Sequence, residues 1–312
     1  MHSSTFTCAH ERANLTIRDL NMSAVEQGSL PPPESYTTPT FVVPGGAWDC
    51  HSHVTPRGNW ALVSDASYLP APAPPEKHRK MRAALGLQRG AVIQASAFGT
   101  DNTGVIEALT DEPDILRGVV VAGQTIDDAE IERLHGIGVR GMRFITNGLG
   151  GTVGTQAMVA LAPRIAEFGW HAEVLPGPTQ WPELLPVLEA LPCKIVIDHM
   201  GGFPPEFGVN HPTTQVIRKL LVERGAWVKL IGYRLSDDLM DSRVIERAHV
   251  FYGDAPGQMI WGTDWPHVGI KKPVDAGQLL NAFARWFDND PEVMHRVLAM
   301  NPACLFDQYD SN

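Results

Sequence analysis

From residue 47 onward, short apolar runs alternate with segments whose apolar residues recur every three or four positions. The runs are AWDCHSHV (47–54), RGAVIQAS (89–96), LRGVVVAG (116–123), VRGMRFI (139–145), WHAEVLP (170–176), CKIVIDHM (193–200), AWVKLIG (226–232) and QMIWGTDW (258–265). They are short and rich in Val and Ile, the pattern of parallel strands buried on both faces. EKHRKMRAALG, DDAEIERLHGIG, QAMVALAPRIAEFG and TTQVIRKLLVERG have helical spacing. Several of them end in Gly, a usual C-terminal stop, and TTQ opens with residues suited to an N-cap. DAGQLLNAFARWFD and a helical tail, PEVMHRVLAMNPACLF, follow the last run.

Eight strands, each followed by a helix, predict a parallel sheet with helices outside, and in about 260 residues the α/β arrangement of that size is a closed (β/α)8 TIM-type barrel. The alternative, an open doubly wound sheet, calls for a Gly-rich phosphate turn after the first strand. HVTPRGNW has no GxGxxG. Two regions follow: a largely irregular leader over 1–46 and the barrel over 47–312. Residues 23–46 are rich in Pro, Ser, Thr and Gly, which predicts extended or disordered chain laid over the outside of the domain. Met22 is an alternative start.

Composition narrows the partners. Of 312 residues 44% are hydrophobic, enough for a large core, and the formal net charge of −10 argues against nucleic acid and anionic membranes. No run of about 18 apolar residues or secretory signal is present, so no membrane span is expected. The four cysteines, Cys8, Cys50, Cys193 and Cys304, are scattered without a CxxC, which suits a reduced, cytoplasmic setting. Cys50 reads as a small buried residue facing away from its histidine neighbour.

Strand alternation puts Asp49, His51 and His53 on one face. In a barrel, chemistry sits at the C-terminal strand ends. Polar residues gather there: His51 and His53, Ser96, Arg143, His171 and Glu173, Asp198 and His199, Arg234, Asp264 and His267. His51, His53, His199 and Asp264 have the residue types of a zinc or manganese site, where a metal would bring bound water to a pKa of about 7 and Asp264 would take its proton. Each residue also has a plainer reading. Asp264 could be a turn or cap residue, Arg143 a structural ion pair, Arg234 a solvated loop residue, Tyr68 loop packing and Glu173 a partner to a histidine.

DCHSHV, VIQASAFGTDN, GVRGMRF, VIDHMGG and WGTDWPH, in this order from about residue 47 to residue 306, resemble the amidohydrolase superfamily, and most closely its branch containing 2-pyrone-4,6-dicarboxylate lactonase. The resemblance implies a distorted (β/α)8 barrel that hydrolyses a lactone without a bound metal. It implies Asp264 as general base, with His51, His53 and His199 polarising the carbonyl or orienting the base. Tyr68, Ser96, Arg143, Arg234 and His267 would bind substrate, the arginines holding carboxylate. Arg57, in the first loop, is a reserve candidate for that role. Leu149, Leu175 and Gly202 stand where the dicarboxylate lactonase has arginine, tyrosine and arginine, which points to a monocarboxylic or neutral lactone. A related branch that isomerises galactarolactone resembles WGTNWPH and lacks the first histidine; Asp264 and His51 favour hydrolysis.

The expectation is therefore a hydrolase acting on a small lactone or carboxylic acid, with no cofactor. A single zinc or manganese at His51, His53, His199 and Asp264 is the alternative. Strands 4 and 5 carry no lysine to bridge two metals. The competing functions are a metal-dependent decarboxylase, a lactone isomerase and a catalytically dead binding barrel. Oligomeric state is not legible.

Overall fold

A computed structural model describes residues 28–307. Eight parallel strands follow one another in order: β1 Trp48–Ser52, β2 Arg89–Ile93, β3 Leu116–Val120, β4 Val139–Ile145, β5 His171–Leu175, β6 Lys194–Ile197, β7 Trp227–Lys229 and β8 Met259–Ile260. Helices α1 Pro75–Leu85, α2 Thr103–Asp111, α3 Asp128–Gly136, α4 Thr155–Ala166, α5 Trp181–Ala190, α6 Pro212–Arg224, α7 Ser242–Asp254 and α8 Ala276–Trp286 each follow one strand. This is the (β/α)8 barrel that the alternating pattern predicts.

The expected eighth strand is mostly not a strand. β8 ends at Ile260, and the chain to Trp265 continues irregularly while still bonding to β1. Cys50 N–H donates to Trp261 C=O at 3.0 Å, Asp264 N–H to His51 C=O at 2.7 Å and His53 N–H to Trp265 C=O at 2.6 Å, closing the ring. A Cβ at Gly262 would lie 2.4 Å from the His51 backbone nitrogen, so this approach requires glycine.

β1 contains a bulge. Asp49 pairs with Gly90 but Ser52 pairs with Val92, so three steps on β1 match two on β2. The extra residue breaks the alternation. Cys50 packs inside the barrel with Ala91, Ile93, Val119 and Ile260, and His51 points inward as well. Asp49 and Ser52 face the helices, Ser52 Oγ lying 2.9 Å from His78 Nε2 of α1. The expected shared face of Asp49, His51 and His53 is therefore corrected, as is the expectation that Cys50 faces away from the histidines. Asp49 instead accepts from Thr263 N–H at 2.8 Å and Thr263 Oγ1 at 2.6 Å, fastening β1 to the segment after β8.

Two cores result. The inner one is closed at the N-terminal strand ends by Leu305 and Phe306 of α10 (Asn301–Phe306, preceded by α9, Pro291–His295, and one π-helical turn). Phe306 stacks on Trp48 at 5.4 Å. The outer core lies between strands and helices. α6 is capped by His211, whose Nδ1 accepts from Thr213 N–H, so the two threonines sit inside the helix rather than capping it.

Residues 28–46 run as irregular chain over the barrel. Thr37 donates to Asp275 at the start of α8, Thr40 N–H to Asn281 Oδ1 at 2.7 Å, and Trp265 Nε1–H to Tyr36 Oη at 2.9 Å. Ser29 Oγ accepts from Gly269 N–H at 3.0 Å. The segment before Gly28 and the alternative start at Met22 lie outside the described residues.

Candidate active site

Beneath the C-terminal mouth lies a buried charge network. Lys229, the last residue of β7, places Nζ 2.5 Å from Glu173 Oε2, 2.9 Å from His51 Nδ1 and 3.2 Å from Asp198 Oδ1. Arg143 of β4 donates to Asp198 Oδ2 through Nη2 at 2.9 Å and Nε at 3.1 Å, and its Nε is 3.4 Å from Glu173 Oε1. Two cations thus answer two anions, which is the condition for keeping such charges out of water. Burial alone would raise the Asp198 carboxyl, but Lys229 and Arg143 outweigh it and hold it well below the usual range. Burial and the Lys229 charge push His51 well below its ordinary value, so its ring is neutral.

Above this network stands Asp264. Its Oδ2 accepts from the Tyr233 hydroxyl at 2.7 Å and from Arg234 Nε. Its Oδ1 lies 3.3 Å from His53 Nε2 and 3.6 Å from His51 Nε2, with no hydrogen-bond partner among the described residues. His53 Nδ1 sits 2.8 Å from the Ile93 carbonyl. A carbonyl only accepts, so Nδ1 carries a proton, and the ring's other nitrogen, Nε2, faces Asp264. Burial would raise Asp264, but Arg234, His199 and the His53 contact hold it well below the usual range, so it is ionised at neutral pH.

His199, Asp264 and His267 have left-handed backbones, at φ 47°, 56° and 67°. Such conformations are uncommon outside glycine and cluster at functional sites. The His199 ring is 4.8 Å from His51, and its Nδ1 has no hydrogen-bond partner among the described residues. Burial pushes His199 down to about 4 against the pull of Asp264 and Asp198.

A cavity of about 510 Å³ opens over this floor. His53, Tyr68, Ser96, Arg143, His199, Arg234 and Asp264 line it. His51 lies just beneath, and the His267 ring lies outside the lining, edge-on to Tyr233 at 5.5 Å. Arg143 is both lining and ion pair, and Arg234 is tied to Asp264 while facing the cavity. Leu149, Leu175 and Gly202 form part of the wall, with Ile145, Leu235 and Ile270 beside them. Ser29, Lys271 and Lys272 complete the rim.

Besides His267, expected to bind substrate but standing outside the lining, three placements differ from expectation. His171 is the first residue of β5, at the closed end against Phe306, and not at the mouth. Arg57 is exposed, bound to Asp111 and Glu76, and does not reach the cavity. Asp264 lies four residues beyond β8 rather than on it. Sequence reasoning missed Lys229 and Tyr233. The Lys229 signal was a single charge inside the apolar run AWVKLIG.

Two groups have donor atoms close enough to share a metal ion: His51, His53 and Asp264, and His51, Asp198 and His199. The residue types fit. The hydrogen bonding of His51, common to both, does not. Lys229 Nζ lies 2.9 Å from its Nδ1, so a cation already stands where the second group would place a metal, and were Nδ1 the acceptor the ring proton would stand on Nε2, the nitrogen that the first group needs as a lone pair.

No helix among the described residues is long and apolar enough to cross a membrane. The amidohydrolase family profile matches residues 48–308. A 4-sulfomuconolactone hydrolase of Rhizobium radiobacter is 31% identical over 91% of this chain and 99% of its own length. A 2-pyrone-4,6-dicarboxylate hydrolase of Comamonas testosteroni is 31% identical over 86% of this chain and 92% of its own. A D-galactarolactone isomerase of Agrobacterium fabrum is 28% identical over 87% and 94%. A crystal structure from Acinetobacter baumannii, described as a probable 2-pyrone-4,6-dicarboxylic acid hydrolase with citric acid bound, superposes with a TM-score of 0.74 at 26% identity, covering 84% of this chain and 99% of that one. By profile and by relatives that match it nearly end to end, the chain belongs to the amidohydrolase family.

Proposed function

We propose that the protein hydrolyses a small lactone, one bearing a single carboxylate or none, by water attack on the ring carbonyl. The observation that carries this reading is the two-sided environment of Asp264. Tyr233 and Arg234 hold Oδ2, while Oδ1 stays buried, ionised and unpartnered at the cavity floor. A carboxylate fixed on one oxygen and free on the other is set up as a general base.

On this reading a water beside Oδ1 gives its proton to Asp264 as its oxygen bonds to the lactone carbonyl carbon. His53, whose Nε2 lies 3.3 Å from Asp264 Oδ1, helps to orient the water. Arg143, Tyr68 and Ser96, on the cavity wall, are the donors that face the carbonyl oxygen and any carboxylate. When the ring C–O bond breaks, the proton held by Asp264 passes to the leaving oxygen. Water and lactone are thereby accounted for as a hydroxy acid, or its keto tautomer, with no change of oxidation state.

The wall favours a modest charge. Arg143 is largely spent on Asp198 and Lys272 on Asp237, and Leu149, Leu175 and Ile145 offer no donor, which leaves Lys271 at the rim to meet a single carboxylate. A buried carboxylate without a partner costs several kcal/mol. Isomerisation is the second reading, favoured by the isomerase relative; the complete His51, His53 and Asp264 set supports hydrolysis over it. The unpaired Cys50, Cys193 and Cys304 suit a reducing, cytoplasmic compartment. The test is a panel of neutral, mono- and dicarboxylic lactones followed by acid release in a pH-stat. Turnover with uptake of one water per ring supports the reading, and ring migration without acid release overturns it.

A further inference from the structure

Lys229 is a buried charge for which the proposed reaction has no direct use: it lies below the cavity and is sealed from solvent. We propose that Lys229 is a positioning residue that locks His51 in the Nε2–H tautomer, so that His51 turns a hydrogen-bond donor, not a lone pair, toward Asp264. Lys229 Nζ has three close neighbours. Two are carboxylate oxygens, of Glu173 and Asp198, which only accept. A lysine ammonium has three hydrogens to give and no lone pair. Its third neighbour, His51 Nδ1 at 2.9 Å, must then be the acceptor.

The competing arrangement would protonate Nδ1 and aim it at Asp198 Oδ1, 3.3 Å away. That contact is longer, and Asp198 Oδ1 is left without a properly directed hydrogen bond, whereas the Lys229 contact is satisfied in distance and direction. Asp198 is also already served by two nitrogens of Arg143. With Nδ1 taken, the His51 proton sits on Nε2, 3.6 Å from Asp264 Oδ1. His51 then donates toward the same Asp264 oxygen that His53 Nε2 faces. The same proton occupies the direction a metal would need. Because the device acts through the geometry of the proposed base, its catalytic consequence rests on the hydrolytic reading, while its existence does not.

The experiment is two-bond 1H–15N correlation spectroscopy on the full chain labelled with 15N-histidine, with the His51 signals assigned by their loss in His51→Gln. The expected pattern for His51 is a protonated Nε2 and an unprotonated Nδ1. A protonated Nδ1 in the wild-type protein overturns the proposal, and no Lys229 variant needs to fold for that result to count. In Lys229→Met the pattern should invert, with Nδ1–H turning to Asp198; Lys229→Met/Glu173→Gln, which removes one charge of each sign, serves if the single variant does not fold. Retention of Nε2–H in a folded variant also overturns it. Wrong-tautomer variants of hydrolytic triads lose up to about 10⁴-fold in kcat, so kcat should fall more than KM rises. The wild-type spectrum separates the two readings: Nε2–H without lactone turnover sinks the hydrolase alone, and turnover with Nδ1–H sinks the tautomer lock alone.

Discussion

Tyr233 donates its hydroxyl to Oδ2 of Asp264 at 2.7 Å, and by holding that oxygen it leaves Oδ1 as the one face of the carboxylate directed at substrate and water. Tyr233→Phe keeps the packing and removes the bond. It should lower kcat about tenfold while the chain stays folded, since a hydrogen bond to a charged group is worth about 1.5–3 kcal/mol and Arg234 still holds the carboxylate. Unchanged kcat at saturating lactone would show that the hydroxyl plays no part in orienting the base.

Acid should destabilise the protein through its buried histidines. Burial pushes both His199 and His267 from 6.5 down to about 4, against the attraction of Asp264. The unfolded chain therefore binds more protons than the folded one between these values. The stability each neutral ring contributes is fully present above pH 6.5 and is lost as pH falls through about 4, on the order of 3 kcal/mol per histidine. Urea midpoints from pH 7 to 4.5 check this. His267→Asn, which tolerates the left-handed backbone, should show a shallower fall; an identical slope counts against the assignment.

The leader should divide into two parts. A chain starting at Met22 keeps every described contact of Tyr36, Thr37 and Thr40 and should melt and turn over like the full chain. A chain starting at Gly46 loses them all, at about 1 kcal/mol per bond, together with the Ser29 rim of the cavity. It should melt several degrees lower and bind substrate less tightly. Equal melting temperatures for the Met22 and Gly46 chains would show that residues 28–45 contribute nothing.

Specificity should move with one rim residue. Leu149 is 39% exposed and lines the cavity, so an arginine there can reach in without being buried. Gly202 is a poorer choice, because its φ of +68° strains any side chain. Leu149→Arg should raise kcat/KM for 2-pyrone-4,6-dicarboxylate relative to a monocarboxylic lactone by about 10-fold or more, the range of one charge-assisted bond. If the wild-type protein already prefers the dicarboxylate, the reading of the apolar wall is wrong.

Much of this was legible in the sequence because it depends on local pattern. Runs such as VRGMRFI become strands in place, β4 at the expected residues, and strand ends point their polar residues to one mouth. What was not legible depends on relations between distant segments. The bulge between Asp49 and Ser52 arises from register against β2, and a strict period of two assigns Asp49 and Cys50 to the wrong faces. Asp264 comes from irregular chain held by β1, so a strand reading of QMIWGTDW finds the residue but misjudges its backbone. Lys229 gains meaning only once Glu173, Asp198 and His51, from three other strands or strand ends, surround it.

The central claim is that Asp264 is the base that activates water against a lactone. The direct measurement is acid release by wild type and Asp264→Asn on the best lactone of the panel, from pH 6 to 9, with circular dichroism alongside. Asparagine keeps the shape but cannot take the proton, so the variant should retain the fold and lose about 10²–10⁴-fold in kcat at every pH, the usual worth of general-base catalysis. A folded Asp264→Asn protein that hydrolyses the lactone at near-normal rate across that range would contradict the account.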